Sequence, residues 1–226
     1  MQDLTEGVAH FQRDVFPAKA RLFAHLATTH RPTTLFISCS DARVVPELIT
    51  QREPGELFVI RTAGNLVPAY TPGADGVAAG IEYAVAVLGV SDIVVCGHSA
   101  CGAMTALADG HDLAALPAIA DWLRHADASR ARAASAKADA EGADAVSVLV
   151  RENVAAQLAN LVTHPSVARA LAGNAGNAGN AGNAGNAGNA GNAGNTVTLH
   201  GWVYDIPTGA VEELDAATGR SAALTA

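Results

Sequence analysis

The chain alternates short, uniformly apolar runs with stretches whose apolar positions recur at helical spacing. TLFIS (34–38), ELFVIR (56–61) and DIVVCG (92–97) are runs of the first kind, each followed by a polar loop. A strand with one wet face would alternate apolar and polar residues. Runs that are apolar throughout predict parallel strands covered by helices on both sides. Between the second and third run, GVAAGIEYAVAVLG (76–89) has helical spacing, with Asp75 placed to cap its start and Gly89 to close its end. The order is therefore βαβ. Upstream, PAKARLFAHLAT (17–28) predicts a helix with Pro17 in its first turn, where the missing N–H costs nothing, and THRPT ends it.

From Leu116 to Ala172 the pattern is helical, with an Arg/Ala-rich stretch at 129–143 that reads as a solvated face or a loose loop. RENVAAQLANLVTH puts Val154, Leu158 and Leu161 on one stripe, and Pro165 starts the next short helix. TVTLHGWVYDI (196–206) is a strand that IPTGAVEEL turns into a hairpin. Residues 173–195 are seven Gly-Asn-Ala units and a final Gly-Asn, without a charged, aromatic or β-branched residue. Glycine at every third position without proline does not make collagen, and nothing in the tract offsets the entropy of ordering it, so a flexible low-complexity loop is expected. The fold class that follows is α/β, a mainly parallel sheet flanked by helices with a C-terminal hairpin. It is read as a single domain over 1–226, with an N-terminal helical arm (1–30) and the Gly-Asn-Ala loop (173–195).

Composition narrows the function. Half of the 226 residues are hydrophobic, enough for a real core, which excludes disorder of the whole chain. Fourteen Lys and Arg against 22 Asp and Glu give a formal charge of −8, the wrong sign for binding nucleic acid or an anionic membrane through bulk charge. A small-molecule partner is expected instead. No basic segment precedes an apolar run at the N-terminus and no stretch is long enough to span a bilayer, so a soluble, cytoplasmic protein is expected. Three cysteines make no disulfide framework, which turns attention to metal or thiolate chemistry.

Cys39, Arg61 and His98 stand at the ends of the three predicted parallel strands. Ligand sites of open α/β sheets lie beyond those carboxyl ends, so the three should converge. Cys101 follows His98 by three residues where a helix starts, and the helix amides would lower its thiol pKa. Two sulfurs and one nitrogen suit tetrahedral Zn²⁺, and a position left open implies catalysis. The bland readings are that H-x-x-C is a chance spacing and that a buried Cys is a small hydrophobe, as Cys96 is taken to be. In CSDAR, however, the cysteine is followed by Asp41 and Arg43, a carboxylate beside the site with a cation suited to hold it by two hydrogen bonds.

CSDAR, EPGELFVIRTAGN, GIEYAV, GHSACGA and HGWVYD, in this order and at these intervals, resemble the β-class carbonic anhydrases from about residue 10 to residue 215. TLFISCSDARVVPELITQREPGELFVIR, LVRENVAAQLANL and THPSVARAL are similar to a bacterial branch associated with cyanate degradation. The resemblance implies Zn²⁺, one per chain, on Cys39, His98 and Cys101, and reversible hydration of CO₂ to bicarbonate through a zinc-bound hydroxide. It makes Asp41, oriented by Arg43, the acceptor of the hydroxide proton, and a fourth zinc ligand only in a closed state found in some members. Phe58, Ala63 and Tyr83 would line a dry pocket for CO₂. It further implies a homo-oligomer with the dimer as its minimum unit and the tetramer and octamer as larger forms, with the N-terminal helix lying across the partner. Many members carry Gln where this chain has His30, a residue that reaches a neighbouring active site; His30 is either a substitute donor or a linker residue. The closed state uses a Trp/Arg/Tyr pocket for bicarbonate, here Phe36, Arg61 and Tyr204; Phe36 has no indole N–H, so an open site is expected. The alternatives are hydrolysis of carbonyl sulfide or carbon disulfide on the same scaffold, and a structural zinc in an interaction module.

Overall fold

A computed structural model describes residues 2–139, 144–177, 196–215 and 220–224. The chain divides into two compact units, Met1–Arg31 and Pro32–Ala226. In the first, α1 (Gln2–His10), a π-helical turn (Phe11–Val15) and α2 (Phe16–Leu26) follow without a break. The sequence predicted only the part from Pro17. A proline inside a continuous helix loses one hydrogen bond and presses on the preceding turn, and the widened π turn lies where that pressure falls. Phe11, Phe16 and Phe23 form a ring cluster with centroids 5.4 to 6.2 Å apart, yet no residue of either helix or of the turn is buried.

The second unit is built on β1 (Thr34–Cys39), α3 (Pro46–Thr50), β2 (Leu57–Thr62), α4 (Gly76–Glu82) running into a π turn (Tyr83–Leu88), β3 (Asp92–His98) and α5 (Gly102–Ala108). There follow α6 (Pro117–Leu123), α7 (Asp127–Asp139), α8 (Ala145–Val162), α9 (Pro165–Asn177), β4 (Thr198–Tyr204), β5 (Val211–Leu214) and β6 (Ser221–Ala223). Strand order is β2-β1-β3-β4-β5-β6, parallel through β4 and antiparallel after it. The α/β class and the C-terminal hairpin are as expected, with β6 added to the edge. Asp75 caps α4 by accepting from the Val77 N–H, and Gly89 closes the π turn at φ 73°.

Of the two readings of the 129–143 stretch the solvated face holds over its described part: α7 runs to Asp139, with Ser129 fully buried against α8 while the arginines face water. One expectation needs correction. The helix expected to stop near Ala172 continues to Asn177, so the first Gly-Asn-Ala residues extend α9. The rest of the loop expected over 173–195 lies outside the described residues.

Both faces of the sheet are covered. Leu35, Ile37, Ile93 and Val95 join α4, α8 and α9 in one cluster, while Phe36, Val94 and Cys96 point the other way. Helix α8 comes close enough to β3 and β4 that glycine is needed on both strands. A Cβ on Gly97 would stand 2.8 Å from Val154 Cγ2, and one on Gly201 would stand 2.8 Å from Leu158 Cδ1 and 3.0 Å from Val154 Cγ1. Val154 has a stiff χ1 in a helix and cannot step aside. Gly201→Ala is therefore expected to cost about 1–3 kcal/mol through overpacking; an unchanged urea midpoint would show that the helix can withdraw.

His200 on β4 ties three strands together, with Nε2 3.2 Å from Asp92 Oδ1 on β3 and Nδ1 2.8 Å from Glu213 Oε1 on β5. Burial opposes its charge, but the Glu213 and Asp92 carboxylates outweigh burial and raise its pKa above the ordinary 6.5. A raised folded value means stability that is fully present below the unfolded pKa and is lost as pH climbs through the folded one. The melting temperature of wild type minus that of His200→Gln should thus be largest at and below about pH 6.5 and shrink on the alkaline side. A gap that widens with pH would contradict the ion triad.

Candidate metal centre

The strand order sets the site. After β1 the chain crosses to one side to make β2 and to the other to make β3, so the carboxyl ends of β1 and β3 flank the switch point where open α/β sheets bind ligands. Cys39 is the last residue of β1 and His98 the last of β3. Cys101 is the N-cap of α5. All three are buried, and their ligand atoms lie within 4.8 Å of one another.

Hydrogen bonds orient each group. His98 Nδ1 is 2.9 Å from the Ser99 carbonyl, an acceptor only, so the ring proton sits on Nδ1. Nε2 is left as a bare lone pair, buried and without a hydrogen-bond partner, facing the sulfurs. This is the tautomer fixing seen where imidazole binds a metal. The Gly64 N–H donates to Cys39 Sγ at 3.4 Å. The Cys101 thiol hydrogen bond, and then the N–H groups of Asp41 and Gly64, draw the Cys39 thiol well below the ordinary value despite burial. Cys101 goes the other way. Its bond to Cys39 and its burial push it up, against the helix-start N–H groups of Met104 and Ala103. The helix start does favour the Cys101 thiolate, through the N–H groups of Met104 and Ala103, but in the absence of a metal the neighbouring Cys39 sulfur and burial oppose it.

Asp41 and Arg43 come to the same place. Asp41 Oδ1 accepts from the Arg43 N–H and Nε, both at 2.9 Å, and Oδ2 accepts from Nη2 at 2.7 Å. This grip, chiefly the Arg43 side chain, holds the carboxyl well below the usual carboxylate range. Oδ2 is also the oxygen nearest the cluster, 3.9 Å from His98 Nε2. Arg43 Nη2 reaches on to the Ala100 carbonyl at 3.0 Å. Ala100, between the two ligands of the second loop, has φ +53°, a left-handed conformation that costs a non-glycine residue energy and that this contact helps to impose.

Arg61 does something the sequence did not reveal. It donates to the carbonyls of Cys39 (3.1 Å), Asp41 (2.5 Å) and Val44 (2.7 Å), clasping the CSDAR loop. Three of its five N–H groups, on Nε and Nη2, are used there; Phe36 packs edge-on to Trp202 with centroids 5.9 Å apart. Ala63 adjoins the site through Gly64. Phe58 and Tyr83 do not: they pack on each other, 5.9 Å between centroids. Phe58 lies four residues before Thr62, the partner of Cys39, or about 13 Å back along the strand. His30 is exposed in the first unit.

Comparison with known proteins agrees with this geometry. Residues 34–177 match the family model described as carbonic anhydrase. A carbonic anhydrase of Pseudomonas aeruginosa is 54% identical over 99% of this chain and 92% of its own length. The solved β-carbonic anhydrase CcaA superposes with a TM-score of 0.85 at 37% identity, covering 100% of this chain and 92% of that one. A tetrameric β-carbonic anhydrase of Sordaria macrospora gives 0.66 at 28% identity, over 98% and 94%.

Proposed function

The chain belongs to the β-class carbonic anhydrase family, and on that premise we propose that it hydrates CO₂ reversibly to bicarbonate and a proton at one Zn²⁺ held by Cys39, His98 and Cys101. The observation that carries the metal assignment is the buried lone pair of His98 Nε2, aimed at two thiols and bonded to nothing. Two sulfurs and a neutral imidazole are a donor set that Zn²⁺ accepts in tetrahedral sites, with one position left for chemistry. When bound, Zn²⁺ supplies the Lewis acidity that brings deprotonation of water within reach of neutral pH, less far than with three imidazoles because thiolates donate more charge.

The chain's own residues do the rest. Asp41, kept ionised by Arg43, can only accept a hydrogen bond, and Oδ2 is the oxygen presented to the cluster. It therefore takes the proton side of the attacking oxygen and turns a lone pair toward the carbon of CO₂. Arg43 spans the two loops and keeps Asp41 from turning onto the metal, the open arrangement. Stopped-flow CO₂ hydration with zinc analysis of the purified protein tests the reading; zinc-free protein that hydrates CO₂ at an enzymatic rate would overturn it.

A homo-oligomer, at least a dimer, belongs to the same proposal, as do action as a single domain and a cytoplasmic location. Among the described residues no helix is long and apolar enough to cross a membrane. The first unit supports assembly because Leu4, Val8, Phe11 and Phe16 stay exposed, more apolar surface than a monomer's arm keeps without a partner. In that assembly His30 donates a hydrogen bond into a neighbouring site. His30→Ala should lower CO₂ turnover while His30→Gln keeps much of it; equal rates for Ala, Gln and wild type would make His30 a linker residue.

A further inference from the structure

The stretch LVRENVAAQLANL has no part in the chemistry above, yet its polar residues are not on the surface. Asn153 and Gln157 are fully buried on α8, and Asn160 continues their line by three residues. Burying primary amides is costly unless their donors and acceptors are met. They are met in a chain. Asn153 Oδ1 accepts from Ser129 Oγ and Gln157 Nε2, both at 2.9 Å, and its Nδ2 donates to the Gly64 carbonyl at 2.9 Å. Gln157 Oε1 accepts the Val67 N–H at 2.9 Å, and Asn160 Nδ2 donates to the Val67 carbonyl at 2.8 Å.

The amide line thus grips the backbone from Gly64 to Val67, and the peptide just before it touches the site. Its N–H is the Gly64 donor to Cys39 Sγ, and its carbonyl, on Ala63, accepts the Trp122 indole N–H at 2.9 Å. In a trans peptide the two groups point opposite ways, so Trp122 and Cys39 sit at the two ends of one dipole. Hydrogen bonds in series polarise one another. Gly64 itself is pinned: it has φ +72°, and a Cβ would stand 3.0 Å from both Ala103 Cβ and Met104 Cε.

We propose that Trp122 and Asn153 are positioning residues for Cys39, Trp122 polarising the Ala63–Gly64 peptide whose N–H bonds the sulfur and Asn153 holding Gly64 through the carbonyl of the next peptide, and so setting how much charge this ligand passes to a metal. The inference rests on the reading of Cys39 as a metal ligand. Removing the indole N–H should leave the sulfur a freer donor, and outer contacts of this kind are worth about 10–100-fold in metal affinity.

The test uses full-length protein in which Co²⁺ replaces zinc. Trp122→Phe keeps a ring and deletes only the donor. It should still bind cobalt, with its thiolate-to-cobalt charge-transfer band moved to longer wavelength, and because the relieved sulfur is more basic and takes up a proton more readily, its zinc form should lose metal to a chelator about ten-fold faster. His200→Gln serves as a control that loses stability at the opposite end of β3 from His98, where His200 meets Asp92, and its band should stay in place. An unmoved band and an unchanged loss rate in Trp122→Phe overturn the proposal. Should that variant not fold, wild type loaded with ¹¹³Cd decides: coupling between the metal and the Gly64 amide proton is expected, and its absence overturns the proposal. Wild type that takes up no metal would overturn both this inference and the zinc reading, whereas metal uptake with an insensitive band removes the inference alone.

Discussion

Cys101→Ser protein should purify with less than about a tenth of a zinc ion per chain and hydrate CO₂ at least about 100-fold more slowly than wild type. A serine hydroxyl is nearly the size of a thiol but does not ionise near neutral pH, and it is a far harder donor than the thiolate Zn²⁺ takes. Cys101 is 1% exposed, packed with Leu66, Met104 and Leu149, so the replacement leaves the fold standing and the loss falls on the metal. Melting curves taken beside the zinc assay separate the two effects. A Cys101→Ser protein with full zinc and full activity would sink the ligand assignment.

Asp41→Asn should keep its zinc and lose about 10²–10⁴-fold in kcat/KM, the usual worth of a general base. The amide is the same shape as the carboxylate but offers one acceptor oxygen where Arg43 and the attacking oxygen together need two. Its NH₂ must face either the Arg43 guanidinium or the cluster, and in the second case it donates where acceptance is required. Stopped-flow rates and metal content measured on one preparation decide the role. Zinc lost in step with activity would make Asp41 a ligand instead of the proton acceptor.

The places of these two residues were legible because they depend on local order. A run such as TLFIS followed by CSDAR places Cys39 and Asp41 beyond a strand end whatever the rest of the chain does, and DIVVCG followed by HSAC does the same for His98 and Cys101. Roles set by distance in the fold were not legible. Arg61 looked like a third converging side chain, and only the loop shows that it clasps three carbonyls. Phe58 and Tyr83 are apolar and of suitable size, but the β1–β2 register puts Phe58 far up the strand from the sulfurs. Asn153 and Gln157 lie outside the apolar stripe read on their helix, and nothing local shows that they are buried, since their carbonyl and N–H partners lie on a loop about 90 residues away in sequence. The helix before Pro17 was missed because proline there signals a start more often than it sits after a π turn.

The placement of the ligands on β1 and β3 also has a kinetic side. Cys39 is separated from His98 and Cys101 by the whole excursion through β2 and α4, so no short fragment of the chain holds more than two of the three. Metal affinity is then created only when the crossover closes and β1 lies beside β3, a non-local pairing that comes at the cost of loop-closure entropy before it brings any return. Zinc cannot seed such a fold. On the zinc reading proposed above, the metal would bind the finished structure and stabilise it by mass action, which acts on the escape from the native state more than on the approach to it. A chain of this design would fold on its apolar core and then be locked by its metal.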